Sequence, residues 1–238
     1  MSRFGRAGIL IFIGVLIGRL VLDGGFGWFV QQHMRIPLAA ATVLLLVFGG
    51  YELVSSSRQS GEGARSAGPG VGWLLALPLL VLVSVAPTAL GAVAADRVDA
   101  FVPTEPTERF VDLPDTSEPI EMRVIEFLDR AAWDEGRSLE DRVIRLEGLV
   151  VNDPEIANGF KLTRFLVSCC AADGIPLQVT LHGTGRALDD DTWVVADVIW
   201  RPPEVPYQEA EGIWIIEADA LGISPVVGIP KDPYESPY

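Results

Sequence analysis

Three long apolar runs occupy the N-terminal part of the chain, at residues 7–22, 36–54 and 71–95. A helix needs roughly 20 mainly apolar residues to cross the hydrocarbon core of a bilayer. The third run has no charged residue, whereas the first contains Arg19, whose long side chain can extend to the interface. A secretory signal peptide is the alternative for the first run, but it lacks a small-x-small cleavage site and two more apolar runs follow. The pattern therefore predicts three membrane spans.

Arginines are distributed unevenly around these runs. Two precede the first run, two lie in the loop after the second run, and one lies in the loop after the first run: Arg3 and Arg6, Arg58 and Arg65, and Arg35. Short loops rich in Lys and Arg stay on the cytoplasmic side. We therefore expect a multi-pass protein of the cell membrane, in contact with lipid, whose C-terminal part is extracytoplasmic.

Beyond residue 95 the pattern changes to that of a small β domain. A Pro- and acid-rich stretch precedes a segment with helical spacing of apolar residues. Five short runs of β-branched and aromatic residues follow, each bounded by turn residues, at 141–151, 160–170, 176–184, 192–200 and 212–221. The Pro-rich C-terminal end is expected to lie along the surface.

The predicted fold combines membrane α and all-β parts. Residues 1–95 form an anchor of three transmembrane helices, 96–120 a linker, and 121–238 a soluble domain. Five strands separated by turns predict a small five-stranded OB-like barrel with one preceding helix, and Gly148 marks the place where the first strand must bend. A different small β-barrel is the alternative.

The net charge also differs between the predicted anchor and the rest of the chain. Residues 1–95 carry a net charge of +3 and residues 96–238 a net charge of −17. Binding of single-stranded nucleic acid requires a cationic groove with stacking aromatics. We therefore expect no nucleic-acid partner. No nucleophile–base pair or phosphate-binding glycine loop is present, so we do not expect an enzyme.

The two cysteines of the chain are adjacent, at Cys169 and Cys170. Thiolates bind zinc and other soft metal ions, and Asp173 and His182 are further candidate ligands. Successive strand residues point to opposite faces, so both thiols reach one ion only where the strand ends or bulges. A vicinal disulfide acting as a redox switch is a second hypothesis, strained because adjacent Cα atoms are about 3.8 Å apart. Two packed, reduced thiols are the third.

Several stretches resemble one known family. They are an H-x-R stretch at His33 before the second apolar run, "LEGLV", "FKLTRFLVSCCAAD", "DDTWV" and a terminal "DPY". Together they resemble the YcgQ-like family of bacterial membrane permease complex subunits. The family motif maps onto Arg164, Phe165, Cys169, Cys170 and Asp173, and its loop histidine onto His33, which on its own is typical of a solvated loop residue.

The resemblance implies an accessory subunit beside a separate multi-span permease, similar to metalloid-efflux permeases. We therefore expect an accessory subunit of a permease complex for metal or metalloid ions. The absence of paired charges within the apolar runs agrees with this, because a transport pathway needs them. The alternative is a membrane-anchored thiol or metal sensor, or binding module, that acts without a permease.

Overall fold

The computed structural model describes residues 3–58, 89–97, 101–103, 105, 110–134, 137–185, 187–207 and 214–237. They belong to two compact units, one within Met1–Ala89 and the other within Leu90–Tyr238. Most of the predicted third span, residues 71–88, lies outside the described residues, as does part of the predicted linker.

The first unit is a helical hairpin. Helix α1 spans Arg3–Asp23 and helix α2 spans Arg35–Arg58, and two short 3-10 turns join them, Gly25–Trp28 and Gln32–Met34.

Glycines let the two helices of the hairpin approach closely. A Cβ atom added at Gly49 would lie 2.6 Å from Ile11 Cγ1 and 3.2 Å from the Ile11 backbone nitrogen. One added at Gly14 would lie 3.0 Å from Leu46 Cδ2. Close backbone approach at small residues is the packing typical of helices in membranes.

The outer faces of the hairpin are apolar. Large side chains at least half exposed there are Phe12, Val15, Leu22, Ile36, Val43, Leu44, Val47, Phe48, Tyr51 and Val54. Among the described helices, one, over Gln32–Ser55, is long and apolar enough to cross a membrane. The structure thus provides one candidate span, at the second predicted run, where the sequence predicts three.

The described residues of the second unit form two helices and seven strands. The helices are α3 (Ala92–Ala95) and α4 (Val124–Trp133). The strands are β1 (Ile120–Glu121), β2 (Ile144–Val151), β3 (Gly159–Leu166), β4 (Ile175–His182), β5 (Trp193–Arg201), β6 (Glu217–Pro225) and β7 (Tyr234–Glu235).

Five of these strands close into a barrel, in the order β2-β3-β4-β6-β5 and back to β2. Strands β4 and β6 are parallel, and the other barrel pairs are antiparallel. The predicted five-stranded barrel with a preceding helix is therefore confirmed. Its core consists of inward-facing strand residues and the apolar face of α4, among them Leu146, Val150, Leu162, Leu177, Val179, Val194, Phe127 and Leu128.

Strand β2 bends, so that its first part pairs with β5 and its last part pairs with β3. Residues Ile144 to Leu149 pair with β5, and Leu149 to Val151 pair with β3. A Cβ atom at Gly148 would lie 2.7 Å from Leu162 Cδ2 and 2.8 Å from the carbonyl oxygen of Thr163. Glycine at this bend is what allows β3 to close on β2.

The C-terminal tail is buried at residues 233–235, contrary to the expectation from its prolines, whereas Lys231, Asp232 and Pro237 are exposed. Tyr234 and Glu235 are buried and pair in parallel with Phe165 and Leu166 of β3. The prolines flank this short pairing and do not interrupt it. The tail therefore adds an edge strand to the barrel sheet.

Two other boundaries differ from the sequence prediction. The last barrel strand begins at Glu217 and continues to Pro225, four residues beyond the predicted end. In the predicted linker, Phe101 and Leu113 are partly buried and pack against the barrel core. Apolar residues between the prolines therefore join this segment to the second unit.

Substituting Gly148 by alanine is expected to lower the free energy of unfolding by about 1–3 kcal/mol, because the new methyl group would overlap backbone as well as side chain. Gly222→Ala is the matched control on β6, since no heavy atom lies within 4 Å of its added Cβ, and we expect a change below about 0.5 kcal/mol. Denaturant unfolding followed by tryptophan fluorescence measures both. Equal losses for the two variants would contradict the close approach at Gly148.

Asp129 on α4 makes stability depend on pH. Burial raises its pKa from 3.8 to about 6; Arg123 opposes the rise, and the charges of Glu126 and Glu235 add to it. Because the folded state binds the proton more tightly, stability is highest below the unfolded pKa and falls as pH rises towards 6. Asp129→Asn should therefore stabilise the protein by about 1–2 kcal/mol at pH 7.5, after discounting for partial exposure, and have little effect at pH 4. Thermal unfolding of the parent and of Asp129→Asn between pH 4 and pH 7.5 tests this prediction. A stability difference between the two proteins that does not change with pH would contradict it.

Candidate functional site

The cysteine loop, residues 167–174, connects β3 to β4. Strand β3 ends at Leu166, four residues earlier than the predicted end at Cys170. The backbone N–H of Val167 still donates to the Glu235 carbonyl oxygen at 2.9 Å, and a 3-10 turn then forms at Ala171–Asp173. Because the strand ends before the cysteines, they are not held on opposite faces of a sheet.

The Asp173 carboxylate organises the cysteine loop. Its oxygens accept the backbone N–H groups of Ser168 at 3.0 Å and of Cys169 at 2.8 Å, and a longer contact from Cys170 at 3.5 Å. In return the Cys170 side chain accepts the backbone N–H of Asp173, which completes a reciprocal capping arrangement. The loop backbone is therefore folded around one acidic side chain.

The same fold gathers three possible metal ligands. The Sγ atoms of Cys169 and Cys170 and a carboxylate oxygen of Asp173 all lie within 4.8 Å of one another. Both thiols are free, Cys169 exposed and Cys170 half-buried. The exposure of Cys169 differs from the burial expected of a packed core thiol.

Asp173 also determines the protonation of Cys169. The hydrogen bond from the thiol to the Asp173 carboxylate, with a second contribution from Cys170, raises the pKa of Cys169 to about 11. Burial tends to raise the pKa of Asp173, but the hydrogen bonds from the Cys169 thiol and the loop N–H groups outweigh it and lower that pKa. At neutral pH Cys169 is therefore a thiol that donates to a charged carboxylate, and it is a weak nucleophile.

The structure does not bring His182 to the cysteine loop. In the β3–β4 pair Leu166 lies opposite Ile175 beside the loop, whereas Gly159 lies opposite His182 at the other end. That register separates His182 from the loop by about 20 Å. Its Nε2 atom lies 2.7 Å from Glu217 Oε1 on β6 instead. The predicted four-ligand set is therefore reduced to three residues.

The contacts of Arg164 hold parts of the barrel together. Its buried guanidinium donates to the carbonyl oxygen of Asp232 at 2.7 Å and to Glu147 Oε2 at 3.3 Å, and it lies over the Trp193 ring at 5.2 Å. It thus fastens the C-terminal tail to β3, three residues before the cysteine loop begins. His33, the other candidate, is an exposed residue of the first unit.

Sequence reasoning missed a cavity of about 830 Å³ beside α4, lined among others by Phe110, Arg130, Ser138 and Arg142. Arg130 is buried there; it donates to Glu126 Oε1 and to the carbonyl oxygen of Val111. Arg142 donates to the carbonyl oxygen of Pro114. These contacts hold the segment before β1 in place.

Comparison with protein-family models, characterised proteins and solved structures finds no match to this chain.

Replacing Asp173 with asparagine should make Cys169 more reactive, because it removes the carboxylate that is the largest cause of the raised pKa. The rate of maleimide labelling at pH 8, measured with Cys170→Ser as the parent, should rise about tenfold for each unit by which the pKa falls. Glu217→Gln, at the distant His182 pair, is the control and should leave the rate unchanged. An unchanged rate in Asp173→Asn would show that the carboxylate does not hold the thiol proton.

Proposed function

We propose that this chain is an accessory subunit of a bacterial membrane permease complex for metal or metalloid ions. The observation that carries the proposal is the helical hairpin, whose helices meet at glycines and whose outer faces expose large apolar side chains. In water such a surface would be a strong aggregation site, whereas in a bilayer lipid tails cover it. Membrane lipid is therefore one partner in this proposal.

The accessory role is proposed because the described helices of the hairpin do not supply the ionisable groups of a transport pathway. In the described part of α1, Arg19 pairs with Asp23 at 3.3 Å on an exposed face, with 80% and 65% of the side chains exposed. A transport pathway needs ionisable groups directed into a bundle or a water-filled cavity. The described helices of this unit offer none, so the pathway is assigned to a separate multi-span permease, as the resemblance to YcgQ-like proteins implies.

The proposed arrangement places the barrel outside the cytoplasm. Three spans, the first two at 7–22 and 36–54 and the third before Leu90, where the second unit begins, lead together with the arginine distribution to an extracytoplasmic second unit. We assign the barrel to the OB-like type because five strands close with the third and fifth parallel. An acidic barrel at the mouth of a permease would concentrate cations near it.

The second candidate function is a membrane-anchored thiol or metal sensor that acts without a permease. The grouping of Cys169, Cys170 and Asp173 within 4.8 Å in an exposed loop favours it. A sensor would lose its metal- or redox-dependent response when both cysteines are replaced, and it would need no stoichiometric membrane partner.

Purification of the tagged full chain from native membranes in a mild detergent separates the two functions. The accessory role predicts a multi-span permease at a fixed stoichiometry, retained by the Cys169→Ser/Cys170→Ser variant because the helical hairpin is unchanged. A matched pair on α2 tests the hairpin: Gly49→Leu should lose the permease because its side chain overlaps Ile11, whereas Gly50→Leu, which has no heavy atom within 4 Å of an added Cβ, should keep it. A chain that never retains a multi-span protein would contradict the accessory role.

A further inference from the structure

We propose that Cys169, Cys170 and Asp173 form an exchangeable site for a soft cation such as Zn²⁺, Cd²⁺ or Cu⁺, with three protein ligands and one open coordination position. The use of this site to pass the ion to a permease rests on the proposed accessory function. Binding itself is a property of the cysteine loop and can be measured on this chain alone.

The path of the backbone makes a shared ion possible. In an extended strand the two adjacent thiols would point to opposite faces. Here β3 ends at Leu166, and the chain bends at Ser168 and Cys169 before the 3-10 turn. With both Sγ atoms and the Asp173 oxygen within 4.8 Å of one another, small side-chain rotations bring them to metal–ligand distances of roughly 2.0–2.3 Å from a common centre.

The third ligand is already oriented. Backbone N–H groups of Ser168 and Cys169 fix the Asp173 carboxylate at 3.0 and 2.8 Å, which is the role that outer hydrogen bonds play for metal-binding carboxylates. A carboxylate has about four acceptor positions, and the Cys169 thiol uses one of them. When a cation binds, each thiol that ligates it transfers its proton to water, and the ion takes the position that the Cys169 proton held.

The open position follows from the surroundings of the loop. Among the described residues, the grouping of possible ligands at this loop contains these three side chains, and His182 lies at the other end of β4 beside Glu217. Structural zinc sites have four protein ligands, whereas sites with three keep a position for water or another molecule. The exposure of Cys169 leaves that position accessible from solvent. Two sulfur ligands select soft cations over Mg²⁺ and Ca²⁺.

The test is a titration of the reduced, detergent-solubilised full chain with Cd²⁺. Binding is monitored by the thiolate-to-metal charge-transfer absorption, and the metal content is measured after desalting. We expect one Cd²⁺ per chain and no displacement by excess Mg²⁺. The Cys169→Ser/Cys170→Ser variant should lose the absorption band, and Asp173→Asn should keep the band but bind at least about tenfold more weakly. His182→Ala and Ser168→Ala are the controls and should bind as the parent does.

A second titration tests the open position. Adding a small monothiol to the Cd²⁺-loaded chain should increase the charge-transfer absorption, because a third sulfur enters the coordination sphere without removing the ion from the protein. No Cd²⁺ binding, binding that survives loss of both cysteines, or equal weakening by His182→Ala and Asp173→Asn would overturn the three-ligand site. An unchanged spectrum with the monothiol would overturn the open position. Failure of permease copurification would leave these results unaffected, so the two proposals are tested separately.

Discussion

The buried carboxylate of Glu235 joins the parts of the second unit that the site depends on. It accepts the backbone N–H of Val124 at 2.7 Å and of Ile125 at 3.0 Å, at the start of α4, where Arg123 provides no side-chain cap. A negative charge at a helix N-terminus is favourable because it meets unpaired N–H groups and the positive end of the helix dipole. The Glu235 carbonyl oxygen meanwhile accepts the N–H of Val167, the first residue of the cysteine loop. One residue near the C-terminus thus fixes both the helix that covers the barrel core and the point where β3 ends.

That end point determines the chemistry of the loop. Because β3 stops at Leu166 and Arg164 ties the tail to the same strand, the cysteines lie on a turn that Asp173 organises. The carboxylate then has two roles, as a structural acceptor for backbone N–H groups and as the group that keeps Cys169 protonated. The loop therefore holds Cys169 as a thiol at neutral pH and groups two sulfur atoms with one carboxylate oxygen within 4.8 Å.

Local pattern was sufficient to predict the barrel, its five strands and the bend at Gly148, because alternating apolar residues and turn residues act over short distances along the chain. It failed wherever the decisive partner is distant in sequence. Glu235 and Val124 are 111 residues apart, so neither the helix cap nor β7 has a local signal, and the prolines of the tail indicated a surface segment. The same limit applies to His182, which is close to the cysteines in sequence but is carried to the other end of β4 by the strand register. The cysteine pair and Asp173 could be predicted as one group because they lie within five consecutive residues, 169–173.

The proposed topology has the helical hairpin in the membrane and the second unit outside the cytoplasm. It is tested most directly by the accessibility of one new cysteine, Val227→Cys, in the Cys169→Ser/Cys170→Ser background, because Val227 is fully exposed on the second unit at 102% of its reference surface. We expect a membrane-impermeant maleimide to label this cysteine in intact cells as fully as it does after permeabilisation. Labelling only after permeabilisation would place the barrel in the cytoplasm and contradict this topology.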